Sequence, residues 1–285
     1  MTFTNPSASV FVPDGTPAES AFRRVTHLGI GAHQDDLEIM AFHGILHCYR
    51  KPDRWFGAVI GTSGSGSPRS GPYASYSDEE MAALRRREQE QAAIVGDYGV
   101  LVQLNLASAV VKDPGHPGLS RDLDLVLTTC RPEVVYTHNP ADKHDTHVAV
   151  GLAVLDSLRR LPAERRPRRV LGCEVWRDLD WLDDKDKIPL DVGGREHLSA
   201  GLLAVYDSQI AGGKRYDLAT TGRRRANASY FESHGTDVYD ELWFAMDLTP
   251  VVAEPTRDIA DYVLGFIDAF RADVAARIKA RARTR

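Results

Sequence analysis

Residues 25–38, VTHLGIGAHQDDLE, place an apolar run rich in β-branched residues directly before a cluster of histidine and carboxylate side chains. The apolar run predicts a strand. In the segment that follows, LEIMAFHGILHCYR, the apolar residues recur at helical spacing and predict a helix. A strand that ends in polar residues and leads into a helix is the repeating unit of an α/β fold.

Strands and helices continue to alternate along the chain. Further strands are predicted in WFGAVIGTSG, VLVQLN, PEVVYTHN and RRVLGCEVW, and Ser77 followed by three acidic residues predicts the start of a strong helix. This alternation predicts a doubly wound, mostly parallel, Rossmann-like sheet flanked by helices. From about residue 195 the pattern changes to helix, loop, strand and a long amphipathic helix that ends in ARIKARARTR, so we expect a C-terminal elaboration.

The composition is typical of a soluble globular protein. Of 285 residues, 43% are hydrophobic and 26% are charged, which excludes a disordered or fibrous chain. The polar, proline-interrupted residues 1–22 are expected to form a flexible arm, and residues 23–285 a single domain. The formal net charge of −5 disfavours nucleic-acid binding.

The same composition bears on location. No apolar run is long enough for a transmembrane helix, and the N-terminus lacks the pattern of a secretory signal, so we expect a cytoplasmic protein that binds no membrane. Three cysteines, Cys48, Cys130 and Cys173, have no metal-binding spacing and are expected to be buried, reduced thiols.

Two polar clusters follow strands that are predicted to be neighbours. The first contains His33, Asp35, Asp36 and Glu38, and the second contains His138, Asp142, His144, Asp145 and His147. Ligands bind beyond the carboxyl ends of the strands in such a sheet, so both clusters are expected at one crevice. Two imidazoles and one carboxylate, with an open position for water, are a ligand set of catalytic zinc and ferrous sites.

Within these clusters the residue types suggest separate roles. His33 and Asp36 lie three residues apart on a tight turn and His147 opens a helix, so these three are the predicted metal ligands. Asp35 would then remain free as a general base, and His144 as an acid or oxyanion donor. His138 is expected to be a hydrogen-bonded structural residue at the end of its strand.

The clusters resemble the motifs of a known family. AHQDDLE (residues 32–38) resembles the AHPDDxE motif of the PIG-L/LmbE-like zinc-dependent N-deacetylases, and KHDTH (residues 143–147) resembles their HPDH motif. Arg85-x-x-Glu88 with Ala92-Ala93 is similar to the family's R-x-x-E-x-x-x-A-A helix, and YDSQ (residues 206–209) to its H-x-SQ segment. The resemblance extends over roughly residues 25–210. Gln34 stands in place of the usual proline, and Asp145-Thr146 in place of Pro-Asp.

The resemblance implies that the protein removes an acetyl group from an amino sugar or a related N-acyl compound. It implies a metal ion held by His33, Asp36 and His147, with Asp35 as general base and His144 stabilising the oxyanion. Glu38 is expected to support the ligands without binding the metal. Zn²⁺ is the expected ion, although the same ligands accept Fe²⁺.

Other residues are candidates for substrate binding. Arg85 is one, and Trp176, Asp178 and His234 are expected to reach the pocket, because indole faces stack on sugars and carboxylates bind hydroxyl groups. An exposed acidic loop with core tryptophans explains the stretch around Trp176 equally well. His43 and His47, four residues apart on a helix, are expected to be packing or surface residues.

The sequence therefore predicts a metal-dependent hydrolase that acts on a small N-acetylated, amino-sugar-type substrate. One alternative is an amidase that cleaves a larger N-acyl group or a thiol-conjugate amide. A second is a carbohydrate-binding module without catalysis. The sequence leaves open whether the protein forms a homo-oligomer.

Overall fold

The predicted parallel strands form the centre of an eight-stranded sheet in the computed structural model, which describes residues 1–282. The strands are β1 (Ser9–Phe11), β2 (His27–Gly31), β3 (Phe56–Thr62), β4 (Val100–Leu106), β5 (Val134–His138), β6 (Arg169–Cys173), β7 (Lys187–Asp191) and β8 (Leu242–Asp247). The helices are α1 (Ala18–Arg23), α2 (Asp36–Met40), α3 (Phe42–Cys48), α4 (Asp78–Val95), α5 (Ser108–Lys112), α6 (Gly118–Cys130), α7 (Asp145–Arg160), α8 (Glu196–Ala204), α9 (Asp207–Ile210), α10 (Tyr216–Tyr230), α11 (Thr249–Ala253) and α12 (Ile259–Arg281).

The strand order, β1-β4-β3-β2-β5-β6-β8-β7, explains where a ligand site can form. The five strands from β4 to β6 are parallel, and β1, β8 and β7 add antiparallel strands at the two edges. From β2 the chain moves outward to β3 and β4, and it then returns to β5 on the other side of β2. The boundary between β2 and β5 is therefore the switch point at which α/β folds open a crevice. The predicted α/β fold is confirmed.

Buried apolar residues form two cores on opposite faces of the sheet. Val59 packs in one core, whereas its neighbours Ala58 and Ile60 pack in the other, as expected when successive side chains of a strand point to opposite faces. All residues of β2 and β3 are buried. Continuous burial is characteristic of parallel strands that helices cover on both faces.

The helix predicted at Ser77 is confirmed, with a capping box at its start. The Ser77 hydroxyl accepts a hydrogen bond from the Glu80 backbone N–H at 3.2 Å, and the Glu80 carboxylate accepts one from the Ser77 N–H at 2.8 Å. The helix ends before Gly96.

The single helix predicted after β2 is in fact two short helices, α2 and α3, that meet at Ala41. Arg224 of α10 explains the break. Its buried guanidinium donates hydrogen bonds to the carbonyls of Glu38 and Ile39 at 2.9 and 3.3 Å. These carbonyls at the end of α2 are satisfied by a side chain from a distant helix, so the first helix can stop there.

Residues 1–22, expected to be a flexible arm, lie against the sheet in the structure. Strand β1 pairs with the edge strand β4, and the side chain of Phe22 in α1 is buried. The Thr4 N–H and hydroxyl both donate to the Asp122 carboxylate at 2.9 Å. The division of the chain into an arm and one domain stays a prediction.

Two further predictions concern the thiols and the basic end of the chain. Cys48, Cys130 and Cys173 are free and buried, as predicted. Of the basic segment ARIKARARTR, residues 283–285 lie outside the described residues. Among the helices described, none is both long and apolar enough to cross a membrane.

Two histidines of α3, His43 and His47, pack with His27 of β2. The rings of His27 and His47 have centroids 5.0 Å apart, and His43 Nδ1 lies 2.9 Å from the Tyr136 hydroxyl. Burial, with the neighbouring imidazoles, lowers the pKa of His27 and the pKa of His43 to about 4. The packing role predicted for His43 agrees with this environment.

This cluster predicts that the protein loses stability in mild acid. The folded pKa lies below the unfolded value of about 6.5, so the unfolded chain binds more protons as the pH falls from about 6.5 to 4. When the pH falls from about 7.5 to about 5, the lowered pKa of each of His27 and His43 should reduce the free energy of unfolding by about 2 kcal/mol. Urea titrations of His27→Gln should give a shallower pH dependence than the wild type. The exposed His197→Gln is the control, and equal pH dependence in wild type and His27→Gln would contradict the account.

Candidate metal centre

The two polar clusters meet at the carboxyl ends of β2 and β5, which are paired strands. His33 and Asp35 lie in the turn between β2 and α2, and Asp36 is the first residue of α2. His144 precedes α7 and His147 lies in its first turn. Residues more than a hundred positions apart in sequence therefore face each other across the switch point.

The three predicted metal ligands bring their donor atoms together. His33 Nδ1 lies 3.2 Å from His147 Nε2 and 3.4 Å from Asp36 Oδ2, and His147 Nε2 lies 3.4 Å from Asp36 Oδ1. Four ligands at about 2.1 Å from a tetrahedral ion are separated from one another by roughly 3.4 Å. Each imidazole thus has one Asp36 oxygen close to this spacing, and the residue types are those that a zinc or ferrous ion requires.

Two more histidines adjoin this set. Donor atoms of His33, His144 and His147 form one group compact enough for a metal ion, and those of Asp36, His138 and His147 form another. His138 Nε2, however, accepts a hydrogen bond from the Ala32 backbone N–H at 3.0 Å. This hydrogen bond occupies the lone pair that a metal would need, which agrees with the structural role predicted for His138.

Asp142 orients the imidazole of His147. One carboxylate oxygen of Asp142 lies 3.4 Å from His147 Nδ1 and accepts a hydrogen bond from the Trp176 N–H at 3.2 Å. The other accepts one from the His144 N–H at 3.1 Å. Burial alone would lower the pKa of His147, but the carboxylates of Asp36 and Asp142 raise it. A carboxylate behind a ligating histidine fixes its tautomer and increases its basicity.

The two adjacent aspartates have different environments. Burial would raise the pKa of Asp36, but the imidazole of His147 holds it well below its usual value. Burial raises the pKa of Asp35 to about 7, although the Arg85 guanidinium, 3.2 Å from its carboxylate, opposes the shift. Asp36 is therefore a stable anion, whereas Asp35 can gain or lose a proton near neutrality.

The backbone at Asp35 is held in an uncommon conformation. Its φ of 84° lies in the left-handed region, where aspartate is one of the better tolerated residues. The Asp35 N–H donates to Gln89 Oε1 at 3.3 Å. Strained backbone of this kind concentrates at functional sites, where the surrounding structure has to maintain it.

Glu38 supports the turn from behind and does not touch the three donors. Its carboxylate accepts hydrogen bonds from the Tyr98 hydroxyl at 2.5 Å and from Gln89 Nε2 at 2.9 Å. Because Gln89 also binds the Asp35 N–H, Glu38 is linked to the site through one intermediate residue.

The two remaining sequence motifs contact each other. Glu88 of α4 accepts hydrogen bonds from the Ser208 N–H at 2.7 Å and the Ser208 hydroxyl at 2.6 Å, and the Tyr206 hydroxyl donates to Gln89 at 2.9 Å. The same helix presents Arg85 to the site. The segments at residues 85–93 and 206–209 thus form one buried support beside the candidate metal centre.

His147 is fully buried, whereas His33 and Asp36 line a cavity of about 680 Å³. Its lining includes the predicted residues His33, Asp35, Asp36, Arg85, His144 and Trp176. The lining also includes residues that were not predicted to reach the pocket: Gln209, Lys214, Tyr216, Thr220, Arg223 and Trp243. They come from α9, α10, β8 and the segment before α10, and apart from Gln209, which ends the YDSQ segment, no local motif marks them.

Asp178 and His234, predicted to bind substrate, do not line the cavity. Both are exposed. After Trp176 the chain turns away from the crevice, and the Trp181 indole N–H donates to the Asp178 carbonyl at 3.0 Å in this turn. His234 lies beyond the end of α10, whereas Arg223 within that helix reaches the cavity.

Comparison with known proteins agrees with the sequence motifs. Residues 28–158 match the model of the PIG-L family, described as GlcNAc-PI de-N-acetylase. The resemblance of this chain to the PIG-L family is therefore confirmed, and the matched segment contains all three predicted metal ligands. No curated protein matches the sequence.

Solved structures share the fold at low sequence identity. The N,N'-diacetylchitobiose deacetylase from Pyrococcus horikoshii has a TM-score of 0.58 and 18% identity, and the similarity covers 77% of this chain and 83% of that one. GalB, the 4-carboxy-2-hydroxymuconate hydratase from Pseudomonas putida KT2440, has a TM-score of 0.58 and 16% identity, and the similarity covers 79% of this chain and 96% of that one. The zinc-inhibited form of the teicoplanin deacetylase Orf2 has a TM-score of 0.55 and 14% identity, and the similarity covers 78% of this chain and 98% of that one.

The role of Asp142 can be tested through metal affinity. Asp142→Asn keeps the size of the side chain but removes the charge that orients His147, so binding of Zn²⁺ should weaken about 10- to 100-fold. Competition with a chromophoric chelator measures this change. Asp178→Asn, an exposed carboxylate outside the cavity, should leave the affinity unchanged. Equal affinity in wild type and Asp142→Asn would show that Asp142 does not orient a metal ligand.

Proposed function

We propose that this protein is a metal-dependent hydrolase that removes an acetyl group from the nitrogen of a small amino-sugar-type substrate. The observation that carries the proposal is the convergence of His33, Asp36 and His147, whose nitrogen and carboxylate oxygen atoms lie 3.2 to 3.4 Å apart, next to a cavity that Asp35 lines. The family description, GlcNAc-PI de-N-acetylase, supports this chemistry. So do the names of two proteins that share the fold, a diacetylchitobiose deacetylase and a teicoplanin deacetylase.

His33, Asp36 and His147 would hold the ion. When bound there, a divalent metal ion supplies Lewis-acid chemistry, which polarises an amide carbonyl and lowers the pKa of water. Zn²⁺ is our first choice and Fe²⁺ the alternative, because two imidazoles and a carboxylate suit both ions. One structure of the Orf2 deacetylase is described as a zinc-inhibited form. Bound zinc therefore does not by itself indicate an active enzyme, and zinc content and activity should be measured separately.

Asp35 is proposed as the general base. Its pKa of about 7 lets the carboxylate accept a proton from the attacking water near neutral pH. The water oxygen forms a bond to the amide carbon, and the C–N bond then breaks. Asp35 returns the proton to the departing nitrogen, so that the products are acetate and a free amine. Arg85 holds the carboxylate in place, with Nη2 at 3.2 Å.

His144 is proposed to stabilise the developing oxyanion from another side of the cavity. Burial lowers the pKa of His144, and the neighbouring imidazoles of His147 and His33 lower it further. The ring is therefore neutral at pH 7 and donates one N–H. A donor aimed at the oxygen that gains charge lowers the barrier without an additional proton transfer.

The other side chains that line the cavity fit a sugar-sized substrate. Trp176, Tyr216 and Trp243 bring three aromatic side chains to the cavity, and ring faces of this kind stack on sugar rings. Arg85 is buried, and its Nε and Nη1 atoms have no hydrogen-bond partner among residues 1–282. Buried donors without a partner are costly, so a substrate oxygen is the natural acceptor for them.

Two other functions are testable alternatives. GalB is named as a hydratase and has the same fold, so the fold alone does not select amide hydrolysis. An amidase for a larger N-acyl group would use the same residues, whereas a carbohydrate-binding module would not need Asp35. We retain a cytoplasmic location as part of the proposal, supported by three buried free thiols.

Substitutions of Asp35 and Asp36 should separate metal binding from catalysis. Asp35→Asn should reduce kcat for acetate release about 100-fold or more and keep the metal, because only the base is lost. Asp36→Ala should lose both metal and activity. The measurements are metal content by plasma mass spectrometry and acetate release from N-acetylglucosamine and N,N'-diacetylchitobiose, with Asp178→Asn as control.

Each outcome of this experiment has a consequence. If the protein binds stoichiometric metal and releases amines only from longer acyl amides, the larger-acyl amidase replaces the deacetylase. If Asp35→Asn retains full activity, the assignment of the base is wrong. A folded wild-type protein that binds no metal after reconstitution would remove the whole mechanism.

A further prediction concerns Trp176, one of the three aromatic side chains at the cavity. Trp176→Ala should raise KM about 10-fold with little change in kcat, because stacking contributes equally to the bound substrate and to the transition state. Trp181→Ala, at a tryptophan outside the cavity, is the matched control. A fall in kcat with constant KM would instead indicate that Trp176 acts on the reacting atoms through His144, whose ring stacks on it at 6.3 Å.

A further inference from the structure

The last helix leaves the body of the protein. Ile259, Tyr262 and Phe266 pack against the core, and Val263 is buried. Every residue from 267 to 282 is exposed. At a rise of about 1.5 Å per residue, the exposed part of α12 extends more than ~20 Å into solvent. A helix segment of this length that buries no residue against its own chain gains stability in water from a partner surface.

One side of this exposed helix is apolar. Leu264, Ile267, Phe270, Val274 and Ile278 are exposed by 51, 38, 46, 37 and 63%. At about 100° per residue these five side chains cover roughly 120° of the helix circumference. We call them the apolar stripe. Contiguous exposed apolar surface rimmed by charges marks an interaction site in soluble proteins.

The charges along α12 are divided between its two halves. From its N-cap to residue 270 the helix has three acidic residues, Asp258, Asp261 and Asp268, and no basic residue. From residue 271 to residue 281 it has four basic residues, Arg271, Arg277, Lys279 and Arg281, and one acidic residue, Asp273. The first half therefore has a formal charge of −3 and the second half +3.

We propose that α12 pairs in antiparallel orientation with the α12 of a second copy of this chain, around a two-fold axis near Phe270. In this arrangement Leu264 faces Ile278 of the other copy, and Ile267 faces Val274. The acidic half of each helix then lies beside the basic half of the other. A parallel pair would place like charges together, which costs free energy.

The same charges disfavour a membrane surface as the partner. Helices that lie in a membrane interface have a polar face rich in lysine and arginine. Here the first half of the helix is acidic and would be repelled by anionic lipids. Self-pairing satisfies both halves at once through one isologous contact, the commonest symmetry of soluble oligomers. This proposal does not depend on the proposed chemistry.

The association can be tested on the full chain by sedimentation velocity over a hundredfold range of protein concentration. The wild type should contain a dimer that dissociates on dilution, and Ile267→Glu and Ile278→Glu should each halve the mass. Ala276→Glu, which adds the same charge on the opposite side of the helix, should behave as the wild type. A wild-type monomer at every concentration would overturn the proposal, as would unchanged masses of the two stripe variants.

The orientation can be tested with single cysteines, because Cys48, Cys130 and Cys173 are buried and cannot compete. A mixture of Leu264→Cys and Ile278→Cys should form a disulfide-linked dimer under mild oxidation, whereas neither variant alone should do so. Cross-linking of each variant alone would contradict the antiparallel arrangement. Sedimentation with phosphatidylcholine–phosphatidylglycerol vesicles, abolished by Ile278→Glu and without dimer formation, would replace the second copy with a membrane.

Discussion

The pairing of β2 with β5 is the constraint on which the site depends. The chain leaves β2 in one direction and returns on its other side, so the carboxyl ends of these two strands open into a crevice. Asp36 lies there in a buried position, and an isolated carboxylate would be costly at that depth. The imidazole of His147 offsets this cost and holds the pKa of Asp36 low. The same electrostatic arrangement favours the binding of a cation that we propose for the three donors.

The matched family segment and the rest of the chain contribute differently to the site. Residues 28–158 contain the predicted metal ligands and the proposed base. The wall of the cavity that faces them comes from later residues, among them Trp176, Lys214, Tyr216, Arg223 and Trp243. Arg224, also beyond that segment, satisfies the last carbonyls of α2. The proposed reaction therefore rests on residues in the first half of the chain, whereas substrate selection is expected to depend on the second.

The sequence predicted the parts of the structure that local patterns encode. The apolar run of β2, the helix start at Ser77 and the two polar clusters after β2 and β5 are short-range signals, and each lies where it was expected. The break between α2 and α3 could not be predicted, because it depends on Arg224 from a helix far along the chain. Strand β1 was missed for a similar reason, since its three residues form a strand only against β4. Asp178 and His234 lie outside the cavity lining, which could not be predicted because residue type indicates chemistry but not the direction in which the chain turns.

The most direct test of the account is the position of a bound ion. Crystals of the protein grown with Zn²⁺ should give an anomalous peak at the zinc edge between His33 Nδ1, His147 Nε2 and the Asp36 carboxylate, at about 2.0 to 2.2 Å from each. That result would establish the metal centre from which the proposed chemistry follows. A peak elsewhere, or an ordered water bridging these three residues with no anomalous signal, would contradict it.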